Sequence, residues 1–179
     1  TNLAGTIPSP TENSFANVVS VENMFYNCLN LGGSIPTDLF KNATKIVSAN
    51  KAFAGCAKLQ GNIPEELFAN ALELQSANGV FEDCSKLNGA IPANLFVNNK
   101  QLSEVTNLFK DCISLQKITM GENVKFSNGQ YVSLEGEDKA LFYNCPNLKE
   151  VTIGSISDIV ENTFINVGAA LKGEIKINE

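Results

Sequence analysis

The apolar positions of the chain fall into a fixed register. Phe25, Phe53, Phe81 and Phe109 are spaced by 28 residues, and Cys28, Cys56, Cys84 and Cys112 keep the same step three residues later. Leu31, Leu59, Leu87 and Leu115 follow three residues after the cysteines, so F-x-x-C-x-x-L recurs in phase. Each copy continues through Ile35, Ile63 and Ile91, then Pro36, Pro64 and Pro92, then the pairs Leu39-Phe40, Leu67-Phe68 and Leu95-Phe96, and ends on Ile46, Leu74 and Leu102. Leu3, Ile7 and Pro8 lie 28 residues before Leu31, Ile35 and Pro36, so the pattern opens inside a repeat. Past Leu115 the step widens to 33, at Phe142, Cys145 and Leu148, and a last partial copy holds Phe164, Val167 and LKGEIKI.

A 28-residue unit with its apolar residues on one side cannot bury them alone, so successive copies must stack to create a core. The segments LGGSIP, LQGNIP and LNGAIP, with LQKITM and LKEVTI, read as strands buried on one face. They predict a parallel sheet with strands over Leu31–Ile35, Leu59–Ile63, Leu87–Ile91, Leu115–Met120 and Leu148–Ile153. Proline after each strand, with Asp38 or Glu66 in the following turn, predicts a short helical turn. Asn42, Asn70 and Asn98 close that turn, as a left-handed cap or through a side-chain bond to backbone. TKIVSANKAFAGC and its equivalents supply a second short extended piece and a second helical turn before the cysteine. The fold class expected is an α/β repeat solenoid, a leucine-rich-repeat-type coil with a parallel β-sheet on one face and short helical turns opposite. Its single domain over 1–179 has about six coils: a partial coil at 1–22, coils at 23–50, 51–78 and 79–106, an irregular coil at 107–139 and C-terminal coils over 140–179. An array of helical hairpins is excluded by the Gly and Pro that interrupt every unit.

Composition narrows the function. Hydrophobic residues make up 44% of the 179, enough for a core. The net charge of -6, with no basic run, gives no surface that would track phosphates, so nucleic acid is not an expected partner. No apolar run approaches the roughly 20 residues of a membrane helix. The chain has no His and no Trp, which removes the commonest general base and metal ligand together. No enzymatic activity, cofactor or metal is expected.

The cysteines invite a site reading. Stacked coils would place neighbours roughly 5 Å apart, within disulfide range, but side chains in a parallel stack point the same way instead of toward each other. Cys28, Cys56, Cys84, Cys112 and Cys145 therefore read as a structural ladder of buried free thiols. The acidic stretch with Glu135, Glu137 and Asp138 lacks the alternating ligands of a calcium loop, and the pairs Glu65-Glu66 and Glu82-Asp83 read as solvated turns. The sequon at Asn42 falls on the Asn42, Asn70, Asn98 series and reads as a turn residue. Between Gly121 and Lys139, VKFSNGQYVSL places two alternating runs around Asn128-Gly129, a hairpin signal, and accounts for the wider step.

The run F-x-x-C-x-x-L-x-G-x-I-P-x-x-L-F, as in FAGCAKLQGNIPEELF and FEDCSKLNGAIPANLF, together with FYNCPNLKEVTI, resembles the BspA-like leucine-rich repeats of bacterial cell-surface proteins. That resemblance implies a secreted, surface-displayed adhesion module with a protein or glycan partner, at an extracellular or cell-surface location. The 28-residue unit and the repeated Ile-Pro depart from the commoner repeat of about 23 residues. A binding module acting as a monomer is the leading expectation, and a spacer or stalk with no specific ligand is the alternative. Binding is expected on the C-terminal half, where the copying stops: at Gln116, Lys117, Lys149 and Lys172 on the strand face and at Phe126 and Tyr131 in the hairpin.

Overall fold

The computed structural model describes residues 3–92, 95–120, 142–148, 150–153 and 175–177. Within them each repeat lies on the next through backbone hydrogen bonds. The N–H groups of Val21, Asn23, Phe25 and Asn27 donate to the carbonyls of Ser48, Asn50, Ala52 and Ala54 at 2.8–3.0 Å. The same four positions in the second copy, Ala49 to Gly55, donate to Ser76, Asn78, Val80 and Glu82, and those in the third, Ala77 to Asp83, donate to Glu104, Thr106, Leu108 and Lys110. Asp111 N–H donates to the Tyr143 carbonyl at 2.9 Å and carries the ladder across the wider step.

Among the described residues, two three-stranded parallel sheets run across the stack. One has β1 (Ala4–Thr6), β2 (Asn30–Gly33) and β3 (Lys58–Leu59) side by side. The other has β4 (Lys117–Met120), β5 (Glu150–Ile153) and β6 (Ile175–Ile177), with Lys117 opposite Glu150 at the same 33-residue step as Phe109 to Phe142. The single continuous sheet expected from the sequence is thus divided, and its first strands are shorter than predicted. Residues 87–90 lie outside any strand. The glycines explain the difference. Gly33 (φ 75), the last residue of β2, and Gly61 (φ 83), two residues past β3, leave the extended region, and the prolines that follow have no N–H to extend the ladder. The second extended piece is reduced to single parallel bridges joining Ser20, Ser48, Ser76 and Glu104.

The short helical turns predicted after the prolines are successive i→i+3 turns, and no helix occurs among the described residues. Leu39 N–H donates to Pro36, Lys41 to Asp38 and Ala43 to Phe40, at 3.0–3.2 Å. So few residues between Pro36 and Ala43 leave little return on the cost of nucleating a helix. The asparagines stabilise these turns across coils. None of Asn42, Asn70 and Asn98 is left-handed, and their side-chain amides donate to the carbonyls of Glu12, Lys41 and Ala69 in the preceding copy at 2.5, 2.7 and 3.2 Å.

The core is two columns of phenylalanine. Phe25, Phe53, Phe81, Phe109 and Phe142 stack with centroids 5.3–5.6 Å apart and interplanar angles that tighten from 18° to 2°. Phe40, Phe68 and Phe96 form the second column at 5.6 Å. Where the first copy has Glu12 in place of a ring, Phe15 closes this column edge-on against Phe40 at 5.2 Å and 88°. Among the described residues Asn99 and Ser76 are the buried polar side chains, and Asn99 is the deeper. It takes the place of Ala43 and Ala71, is 2% exposed, and donates to the carbonyls of Phe68 and Ala71 at 3.0 and 2.7 Å.

Candidate binding surface

The most distinctive surface among the described residues is the turn that precedes each cysteine. Asn27, Gly55, Asp83, Asp111 and Asn144 all have φ between 54° and 74°. Left-handed backbone favours Gly, Asn and Asp, because other side chains crowd the following carbonyl there, and these are the residue types in this row. A second left-handed row, Asn23, Lys51, Gly79 and Asn107, lies four residues upstream. Between the two rows the middle residue, Phe25, Phe53, Phe81 or Phe109, turns into the core, and the ladder of hydrogen bonds makes residues 28 apart neighbours.

Along the outer row the repeat stops copying itself. Tyr26, Ala54, Glu82, Lys110 and Tyr143 occupy equivalent positions. The Lys51 ammonium lies over the Tyr26 ring and the Lys110 ammonium over the Tyr143 ring, each 5.9 Å from the centroid. Glu82 sits between the two lysines, 4.0 Å from Lys51 and 3.5 Å from Lys110. Partly exposed pairs of this kind add little stability but hold the chains in one arrangement. Tyr26 is 43% exposed, with Leu29 and Met24 exposed beside it, and Ile113 is exposed at the other end. Asn144 donates to the Asp111 carboxylate at 2.7 Å. Partial burial, with the Asp111 charge one coil away, raises the Asp83 carboxyl above its ordinary pKa, against the opposing pull of Lys110 and Lys51.

The thiol ladder faces inward from the same turns. All five cysteines are buried and free. Each of the last four donates to the carbonyl of a phenylalanine in the preceding copy: Cys56 to Phe25, Cys84 to Phe53, Cys112 to Phe81 and Cys145 to Phe109, at 3.0–3.2 Å. Burial pushes the Cys56 and Cys145 thiols up to about 12, and those of Cys84 and Cys112 well above the ordinary 9.0. A maleimide or disulfide reagent should therefore label almost no thiol in the native protein at pH 8 and all five in denaturant. The folded state holds the Cys56 and Cys145 thiols neutral, so their contribution to stability is complete below about pH 9 and is lost as pH rises toward 12. The urea midpoint should fall over that window, and less steeply in a Cys56→Ala/Cys145→Ala variant; equal slopes would exclude the ladder as the cause.

Of the residues expected to bind, Gln116 and Lys117 are exposed at the start of β4. Phe126, Tyr131, Lys149 and Lys172 lie outside the described residues, as do the acidic stretch at Glu135 to Asp138 and the hairpin segment. No group of His, Cys, Asp and Glu among the described residues is arranged to hold a metal ion, and no described helix is long and apolar enough to cross a membrane. The outer row was missed in the sequence because attention to what repeats passes over what does not. Its signal was present: the residue before each cysteine is always Asn, Gly or Asp, which marks the left-handed turn.

No family model matches the chain, and no curated protein matches it. Among solved structures, a leucine-rich repeat protein from Bacteroides ovatus is weakly similar, with a TM-score of 0.28 and 18% identity over 86% of this chain and 58% of that one. The plant peptide hormone receptor RGFR1 in complex with RGF2 is weakly similar at a TM-score of 0.25 and 17% identity, over 70% of this chain and 20% of the receptor. The chain spans less than two thirds of the length of either.

Proposed function

We propose that this chain is a non-enzymatic binding module, a leucine-rich-repeat-type solenoid of the BspA-like kind displayed at a cell surface, whose outer turn row contacts a protein or glycan partner. The observation that carries this reading is the contrast between the two sides of one turn. Inward, Phe, Cys and Leu repeat without change; at the position after each Phe the side chains run Tyr26, the buried Ala54, Glu82, Lys110 and Tyr143. A spacer needs the inward pattern and nothing outward, whereas a binder needs a patch that breaks the copy. Exposed tyrosine beside fixed charge also has the composition of interface hot spots.

The test is saturable binding of the tagged chain to immobilised extracellular-matrix proteins and glycans. Saturable binding to at least one of them is expected, weakened about tenfold or more by Tyr26→Ala/Tyr143→Ala, the loss of two hot-spot side chains. Two further variants, removal of 121–139 and joint substitution of Gly32, Gln60 and Asn88, report on the C-terminal segment and the early strand row. Absence of saturable binding to any surface would make the chain a spacer.

A further inference from the structure

The outer turn row is evenly stepped. The rings beneath it repeat every 5.3–5.6 Å, so four steps carry Tyr26 to Tyr143, a distance of roughly 20 Å at the spacing of stacked strands. Between the tyrosines the left-handed positions present Asn27, Asp83, Asp111 and Asn144, with Gly55 supplying no side chain. Asn27, Asp83 and Asn144 are exposed and Asp111 half-buried. Gly55 is not an empty place in the row, because the Asn27 side chain lies across it. Ala54 and Gly55 are both buried.

A folded protein partner would meet such a row with one convex patch and use a few of its steps. A linear polymer whose hydroxyls recur at a regular interval can use every step. Carboxylates and primary amides accept from and donate to hydroxyl groups, and tyrosine rings offer apolar faces against which sugar C–H groups pack. Charge decides between sugar classes. The row carries Asp83 and Asp111 with Glu82 beside them, both lysines are already engaged with Glu82 and with a ring, and the chain as a whole is at -6. A polyanionic saccharide would be repelled.

We propose, resting on the binding-module reading above, that the outer turn row is a docking surface for a neutral linear polysaccharide lying along the stacking axis, with Tyr26 and Tyr143 as end platforms and Asn27, Asp83, Asp111 and Asn144 as its hydrogen-bonding row. The experiment is native affinity electrophoresis of the intact chain through gels containing a neutral polymer (barley β-glucan, xyloglucan or arabinoxylan) or an acidic one (hyaluronan or alginate). Two variants accompany it: Tyr26→Ala/Tyr143→Ala, and Asp83→Asn/Asp111→Asn, which keeps residues suited to the left-handed turns. Retardation by at least one neutral polymer is expected, lessened at least fivefold in apparent affinity by each variant, with unchanged thermal melting showing that both remain folded. Retardation by acidic polymers alone, by none, or to the same extent in the variants would overturn the proposal. If saturable protein binding persists while no neutral polymer retards the chain, this proposal fails and the binding-module reading stands.

Discussion

Replacing Phe81 with alanine should destabilise the fold by about 3–5 kcal/mol, the range for removing a buried aromatic side chain. The ring is fully buried and stacks on Phe53 at 5.6 Å and 4° and on Phe109 at 5.3 Å and 3°. In a repeat array stability is the sum of each unit's own term and its contacts with two neighbours, so a cavity at this position weakens two interfaces at once. Phe25, which is only partly buried and stacks on one neighbour at 5.4 Å, is the internal control and should cost distinctly less as alanine. Urea denaturation followed by circular dichroism measures both. A Phe81→Ala loss no larger than that of Phe25→Ala would mean that the column does not hold the coils together.

Gly89→Ala is the second large effect, about 1–3 kcal/mol, as for overpacking a closed site. A Cβ there would lie 2.5 Å from the Asn62 Cα and 2.5 Å from the Gly61 carbonyl oxygen, both backbone atoms that cannot rotate aside. Gly89 N–H donates to that carbonyl at 3.2 Å and Gly61 N–H donates to Asn88 Oδ1 at 3.1 Å, so relief of the clash also disturbs the bonds joining the two copies. Gly32 provides the contrast. Its added Cβ would meet nothing nearer than the Lys58 carbonyl at 3.7 Å, and Gly32→Ala should be neutral or stabilise by up to about 1 kcal/mol through the unfolded chain. If both substitutions shift the denaturation midpoint alike, the close approach at Gly89 is not a constraint.

These two glycines show what the sequence made legible and what it did not. The period was plain from Phe, Cys and Leu, because a stacked array buries side chains of matching size at matching places, and the inward positions of the core follow from it. Strand extent was not plain. LGGSIP and LNGAIP look alike as text, but Gly33 breaks a strand by adopting φ 75, whereas Gly89 sits outside any strand with neighbouring backbone pressed against it. That distinction depends on the packing of the adjacent copy, which local pattern does not encode. Asn42 was recognised as a turn residue, yet its partner, the Glu12 carbonyl, lies 30 residues away. The outer row was the part least legible, since tyrosine, alanine, glutamate and lysine at one position have no common property until stacking brings them together.

The hydrogen bonds between coils also give the molecule a direction. From Val21 to Asp111, the N–H groups of the turn segment point toward the following copy and the carbonyls they meet point back. Through this segment each described copy offers donors to one side and acceptors to the other, while Gln60, Gln75, Gly89 and Ser103, outside it, donate the opposite way; a row of acceptors cannot pair with its own image. Any end-on meeting of two molecules that used this ladder would be polar, head to tail, and would leave a fresh end on each side. Association along this axis would therefore grow as a filament instead of closing as a symmetric pair.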